Sequence, residues 1–104
     1  MKILALLLAF HSAPGGAGNP MAGNPNAVPA GRKLFVQHCA GCHGKDAGGG
    51  KHAPPLDRMA RTGDEIFRIL TNGVVRRGMP SWSKLPEPQR WQIVTYLKSL
   101  DAIQ

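Results

Sequence analysis

Two irregular stretches of twelve residues each, GKDAGGGKHAPP at 44–55 and VVRRGMPSWSKL at 74–85, separate the short segments of this chain that have a helical pattern. Their glycines and prolines leave no regular run for a helix or a strand. Loops of about 12 residues or more are uncommon in compact domains and usually exist for a function. Upstream, APGGAGNPMAGNPNAVP at 13–29 is also rich in Pro and Gly and reads as a linker. The folded part is then expected to begin near Pro29, which leaves too little chain for a thick core. A domain of that size usually needs disulfides, a metal or a cofactor as a staple. Two cysteines in 104 residues are too few for a disulfide scaffold. A large buried ligand would give both long loops something to wrap.

The regular segments are helical. A first helix fits Ala30 to about Ala40, with Leu34, Phe35 and His38 on one side and Gly41 ending or loosening it. A short helical turn fits Asp57 to Ala60. Thr62 and Glu65 form a T-x-x-E capping box. Ile66, Phe67, Ile69 and Leu70 then give an apolar face, and Gly73 is a natural terminator. The last helix is expected to start around Pro86 to Pro88, where proline in a first turn loses nothing. Ile93, Val94, Tyr96, Leu97 and Leu100 carry its 3, 4, 7 spacing. No strand alternation, internal repeat or G-x-G-x-x-G occurs, so the class is all-α with long loops.

At the N-terminus, Lys2 precedes an apolar run from Ile3 to Phe10, followed by small residues from Ser12 to Gly18. The run is far shorter than the roughly 20 residues needed to span a bilayer. It reads as an export signal over 1–18, followed by a linker at 19–28 and a domain at 29–104. The alternative is an apolar N-terminal helix that stays on the protein. A periplasmic location is therefore expected.

Cys39, Cys42 and His43 stand as Cys-Ala-Gly-Cys-His, the attachment pattern for a c-type haem. At i and i+3 of a helical turn, two side chains lie on one side, about 5–6 Å apart at Cβ. Each sulfur can then form a thioether with one of two vinyl groups along a haem edge, and the next residue turns its imidazole toward the iron. Three other readings compete. A thioredoxin-like dithiol needs a βαβ framework, which the pattern lacks. A structural zinc would have to use Cys39, Cys42, His43 and His52 at an unusual spacing. A disulfide across so tight a loop would be an oxidised apo form.

Candidates for a sixth iron ligand are His38, His52, Met59 and Met79. His38 lies one turn before the cysteines and cannot reach the far face of the ring. His52 and Met59 follow His43 too closely to cross it. Met79, in Gly78-Met79-Pro80, has enough chain before it to cross and a proline to stiffen the approach. Met79 is favoured over an open or bis-His site. A His/Met pair raises the potential and suits electron transfer rather than oxygen binding.

With these residues in hand, the chain resembles the class I c-type cytochromes. It is similar to the short bacterial monohaem domains found as soluble carriers, in cbb3 oxidase subunits and on quinoprotein dehydrogenases. The resemblance covers residues 29–104. Gly31 and Phe35 match the family's G-x-x-x-[FY], and Cys39, Cys42 and His43 match its attachment site. Ala53-Pro54-Pro55-Leu56 is similar to its G-P-x-L segment, although Ala53 replaces the usual glycine. Gly78-Met79-Pro80 matches the distal methionine loop, and Ile93 to Leu97 the closing helix.

The resemblance implies a small all-α cytochrome c fold, three to four helices and long loops around one covalent haem. It implies that Gly31 lets the first and last helices cross closely, with Phe35 and Tyr96 beside the crossing. It implies that the Pro54 carbonyl accepts from His43 Nδ1–H and fixes the tautomer. It places Leu56, Phe67, Leu70, Trp82, Ile93 and Leu97 in the haem pocket and makes His43 and Met79 the iron ligands. Pro86 stands where the family often has a Ser or Thr cap. The longer loop that covers the propionates in mitochondrial relatives is missing, which leaves Arg58 and Arg61 as propionate candidates.

Thirteen basic residues against six acidic ones give a formal net charge of +7. Lys33, Lys45, Lys51, Arg76, Arg77 and Lys84 fall near the attachment site or the methionine loop. A positive ring there would steer docking onto an acidic redox partner. No nucleic-acid-binding signature accompanies the charge. The expected function is one-electron transfer by a monomer that is not itself an enzyme. The alternative is a haem-based gas sensor or small peroxidase with a labile sixth ligand.

Overall fold

The structure, a computed structural model, describes residues 18–50, 55–56 and 60–101. Residues 1–17 of the expected export signal (1–18), the residues Lys51, His52, Pro54, Arg58 and Met59, and most of the short turn expected at 57–60 lie outside the described residues. Four α-helices follow in order: α1 (Ala27–His38), α2 (Ala40–His43), α3 (Gly63–Asn72) and α4 (Glu87–Asp101). A 3-10 turn at Val75–Arg77 lies between α3 and α4. Among the described residues the sole β pairing is one antiparallel bridge, Val74 to Met79. The architecture is all-α, as the sequence pattern implies.

Helix α1 starts three residues earlier than the pattern suggests and takes in Ala27 and Val28, two residues assigned to the linker. Its N-cap, Asn26, makes no side-chain cap bond; instead Asn24 Oδ1 accepts from the Asn26 N–H (2.9 Å). Pro29 sits in the first turn, where backbone N–H groups have no intrahelical partner, so the helix runs through it at no cost. Before the helix, Asn19 Nδ2 donates to Thr95 Oγ1 (2.9 Å), and Met21 packs against the core. This part of the Gly/Pro-rich segment therefore lies on α4.

The buried residues of α1 are Ala27, Gly31 and Phe35, a four-residue spacing that forms one stripe. That stripe packs on α4. A methyl group at Gly31 would overlap the Gln92 carbonyl, so the crossing needs a residue with no side chain. Phe35 is fully buried beside it, its ring 5.5 Å from that of Tyr96.

Helix α1 ends at Cys39, not near Gly41. The Cys39 N–H donates to Phe35 O (2.8 Å), and its own carbonyl accepts from Cys42 N–H (3.2 Å) and His43 N–H (3.0 Å). The chain thus restarts as the single turn α2, with Gly41 inside it. Gly44, at φ +88°, is the residue that stops α2.

Helix α3 follows its local signals closely. Glu65 N–H donates to Thr62 Oγ1 (3.1 Å), and Thr62 N–H donates to Glu65 Oε1 (2.8 Å), the reciprocal capping box. Gly73 ends the helix with its N–H on Ile69 O (2.7 Å). Pro86 O accepts from Gln89 (2.9 Å) and Arg90 (3.2 Å) and opens α4.

Helix α4 is covered on three sides. Tyr96 and Gln92 meet α1, Trp91 stacks on Phe67 of α3 (3.9 Å, 10°), and Ile93 and Leu97 face a cavity. Trp91, Ile93, Val94, Tyr96 and Leu97 are all buried. At roughly 1.5–3 kcal/mol for each large apolar side chain removed from water, this helix supplies most of the apolar stabilisation.

Candidate cofactor site

The three longer helices and the loop after α3 enclose a cavity of about 1030 Å³. That is at the top of the range of roughly 300–1,000 Å³ usual for small-molecule and cofactor pockets. Phe35, Ile66, Ile69, Leu70, Val74, Trp82, Ile93 and Leu97 make its wall largely apolar. Cys39, Cys42 and His43 reach it from α2 and the residue before it, Leu56 from the loop that follows, and Met79 from the loop after α3. The described attachment and ligand candidates, Cys39, Cys42, His43, Leu56 and Met79, are therefore in one place, although His43 and Met79 are far apart in sequence.

Local bonds set the position of each. Gly49 N–H donates to His43 O (2.7 Å), and Leu56 N–H donates to Ala47 O (2.7 Å), so the loop folds back under α2. A Cβ at Gly50 would overlap the Cys42 carbonyl, which makes this wrap a close backbone contact. The Phe35 ring lies 6.5 Å from the His43 ring. Met79 exchanges both backbone bonds with Val74 (2.9 and 3.1 Å) across the 3-10 turn. Past it, Trp82 N–H donates to Leu70 O (2.8 Å) and returns the chain to α3.

Cys39 is half-buried and Cys42 exposed, and neither is in a disulfide. Burial, helped by the neighbouring Cys42, pushes the Cys39 thiol up to about 11. Before haem attachment this is the opposite of the depressed thiol of a dithiol redox site. Among the described residues no group of three or more His, Cys, Asp and Glu comes together as a metal cage.

Phe67 is a correction to the expected pocket. Its ring is stacked on Trp91, with Arg90 5.0 Å above it, and it does not line the cavity. On α3 the cavity-facing residues are Ile66, Ile69 and Leu70, and Phe67 falls to the α4 side of the same stripe. His38 lines the cavity too, with its ring 5.0 Å from Trp82. Arg61, a propionate candidate from sequence, is at the cavity wall, joined there by Arg76 and Arg77. Val74 had no sequence signal as a site residue, because its role is to pair with Met79's backbone.

The chain matches the family model described as cytochrome C oxidase, cbb3-type, subunit III over residues 26–97. It belongs to that family of c-type cytochrome domains. It is 38% identical over 89 residues to cytochrome c550 of Pseudomonas aeruginosa, covering 78% of this chain and 61% of that protein. It is 34% identical over 92 residues to the cbb3-type cytochrome c oxidase subunit CcoP of Rubrivivax gelatinosus (85% of this chain, 29% of the subunit). CcoP of Rhodobacter capsulatus is 34% identical over 84 residues, covering 68% and 28%. The chain thus spans under two thirds of each of these relatives. No solved structure matches it.

The cofactor of this class I monohaem cytochrome domain is a covalently attached haem c, and electron transfer is the family's work. The site suits that group. Its cavity is large and apolar, both thiols of the attachment motif line it, and Arg61, Arg76 and Arg77 at its wall could pair with acidic propionates.

Proposed function

We propose that this chain is a one-electron carrier of an exported respiratory or dehydrogenase chain, with His43 and Met79 as its axial iron ligands. The observation that carries the reading is that one apolar cavity gathers Cys39, Cys42 and His43 with Met79. When bound, haem c supplies the reversible Fe(III)/Fe(II) couple. Cys39 and Cys42 hold it covalently, Leu56 packs against it, and the Pro54 carbonyl is the proposed acceptor for His43 Nδ1–H. The apolar wall from α3 and α4 keeps water out and favours the less charged reduced state. Met79, a soft thioether held by its backbone pairing with Val74, completes a His/Met ligand set of the electron-transfer kind.

The domain includes the whole of α1 from Ala27, with the 19–26 segment before it and an export signal at 1–18. Lys2 and the apolar run after it support a periplasmic site of action. No described helix is long and apolar enough to cross a membrane. Arg76 and Arg77 are exposed at the cavity wall, next to Val75, which is 76% exposed. With Lys33, Lys45 and Lys84 they suit an acidic partner, which steers encounter electrostatically. The chain works as a monomer or as a domain of a larger oxidase-like assembly, the setting named for the CcoP relatives.

The test is the Met79→Ala variant of the haem-loaded protein. The expected result is retained covalent haem, loss of the weak red-region Met–iron band and a lower reduction potential. An unchanged band and potential would place the sixth ligand elsewhere, with Met59 the first residue to examine.

A further inference from the structure

One side chain ties together both ends of the segment that carries Met79. Arg90, half-buried near the start of α4, donates from Nη1 to Thr71 Oγ1 (2.6 Å) and from Nε to Leu85 O (3.1 Å). Thr71 lies in the last turn of α3 and Leu85 just before α4. The two bonds therefore close the 72–85 stretch at its base. The connection continues inward. The Thr71 carbonyl accepts from Ser81 Oγ (2.6 Å), two residues beyond Met79. The Thr71 hydroxyl donates its own proton to Phe67 O (2.8 Å), which leaves its lone pairs for Arg90. The Phe67 ring covers the guanidinium from the other side (5.0 Å).

We infer that Arg90 is a positioning residue for the distal ligand: through Thr71 and Ser81 it holds the 72–85 segment so that Met79 stays at the cavity wall. The inference rests on the reading of Met79 as ligand. Arg90 itself does not line the cavity. The site needs arginine in particular, because its two bonds leave different nitrogens of one rigid fork at once. A lysine ammonium can reach Thr71 or Leu85 as a point charge but does not reproduce that geometry. Loss of either charged hydrogen bond frees one end of the base of the segment, so the segment opens more readily and exposes the sixth position. Such a bond, discounted for partial exposure, shifts the opening equilibrium about tenfold.

The test uses the full haem-loaded chain and imidazole as a competing ligand for ferric iron. Apparent imidazole affinity reports how often the segment opens, and the red-region band reports Met79 ligation. Arg90→Ala and Thr71→Val are expected to bind imidazole about tenfold more tightly than wild type, with Arg90→Lys between. Thr62→Ala, which weakens the far end of α3 without touching the brace, is expected to keep wild-type affinity. Wild-type affinity in Arg90→Ala and Thr71→Val, with the band lost in Met79→Ala, would overturn the positioning role and leave the ligand assignment standing. A band that survives in Met79→Ala would overturn the ligand assignment and this inference with it. If Arg90→Ala does not accumulate in haem-loaded form, Thr71→Val decides alone, since it keeps the guanidinium and its Leu85 bond. A Thr62→Ala protein that also binds more tightly would show general loosening and refute the brace.

Discussion

Gly73→Ala should damage the domain and its distal ligand together. Gly73 ends α3 at φ +73° and ψ 179°, a region essentially reserved for glycine. Forcing alanine into it costs roughly 1–3 kcal/mol of backbone strain. A Cβ there would also stand 2.6 Å from Ser81 N, 2.7 Å from Pro80 C and 2.8 Å from Met79 O. All three are backbone atoms of the methionine loop, so none can swing away as a flexible side chain would. Overpacking of this kind adds about 1–3 kcal/mol. The two effects share relief, because moving the loop eases the contacts at the expense of the Val74–Met79 pairing. The expected loss is therefore about 2–5 kcal/mol, a large part of the roughly 5–15 kcal/mol that a domain has. Guanidinium titration of the ferric haem-loaded protein measures it, read in parallel by helical circular dichroism and by the red-region band. The band should disappear at lower denaturant than the helices. Gly78→Ala is the control: it also has positive φ (+88°), but a Cβ there meets nothing within 4 Å. It should cost only the backbone penalty, about 1–2 kcal/mol. Equal losses at the two positions, or a Gly73→Ala loss below about 0.5 kcal/mol, would refute the close-contact argument.

Removing the Thr62 cap by Thr62→Ala should lower stability by about 1 kcal/mol, measured by thermal unfolding. The Thr62 N–H holds the Glu65 carboxyl below its usual range. Its contribution is present above the ordinary carboxylate pKa and is lost as pH falls through the lowered one. Glu65→Ala should accordingly cost less on acidification, while the Thr62 N–H survives in Thr62→Ala; a Glu65→Ala cost that grows toward low pH would contradict this. Electron transfer to an acidic partner should slow steeply as salt rises, followed by stopped-flow absorbance. Arg76→Glu with Arg77→Glu should flatten that slope, and a rate indifferent to ionic strength would remove the docking argument.

What could be read from sequence was local. The Thr62/Glu65 box, the Gly73 stop and the proline start of α4 are all formed within a few residues, so their spacing specifies them. The start of α1 was hidden because Asn26 makes no side-chain cap and Pro29 resembles a boundary, although its missing N–H costs nothing in a first turn. The α1 break at Cys39 depends on one carbonyl accepting two N–H groups, which composition does not encode. That Met79 would reach the cavity was legible from its Gly-Met-Pro setting. Phe67 was misplaced because an apolar stripe does not say which of its edges faces a cavity and which a neighbouring helix. Arg90 was invisible as a site residue: its partners Thr71 and Leu85 meet only when α3 and α4 are docked, and an arginine early in a helix reads as solvated charge.

The most direct measurement is the visible spectrum of the protein exported from a strain able to mature c-type cytochromes. It is recorded oxidised and reduced, then again after denaturation and acid–acetone extraction. The account predicts haem that resists extraction, sharp reduced bands and a weak red-region Met–iron band in the oxidised form. Haem that extracts freely would contradict attachment through Cys39 and Cys42, and covalent haem without the red band would contradict Met79 as the sixth ligand.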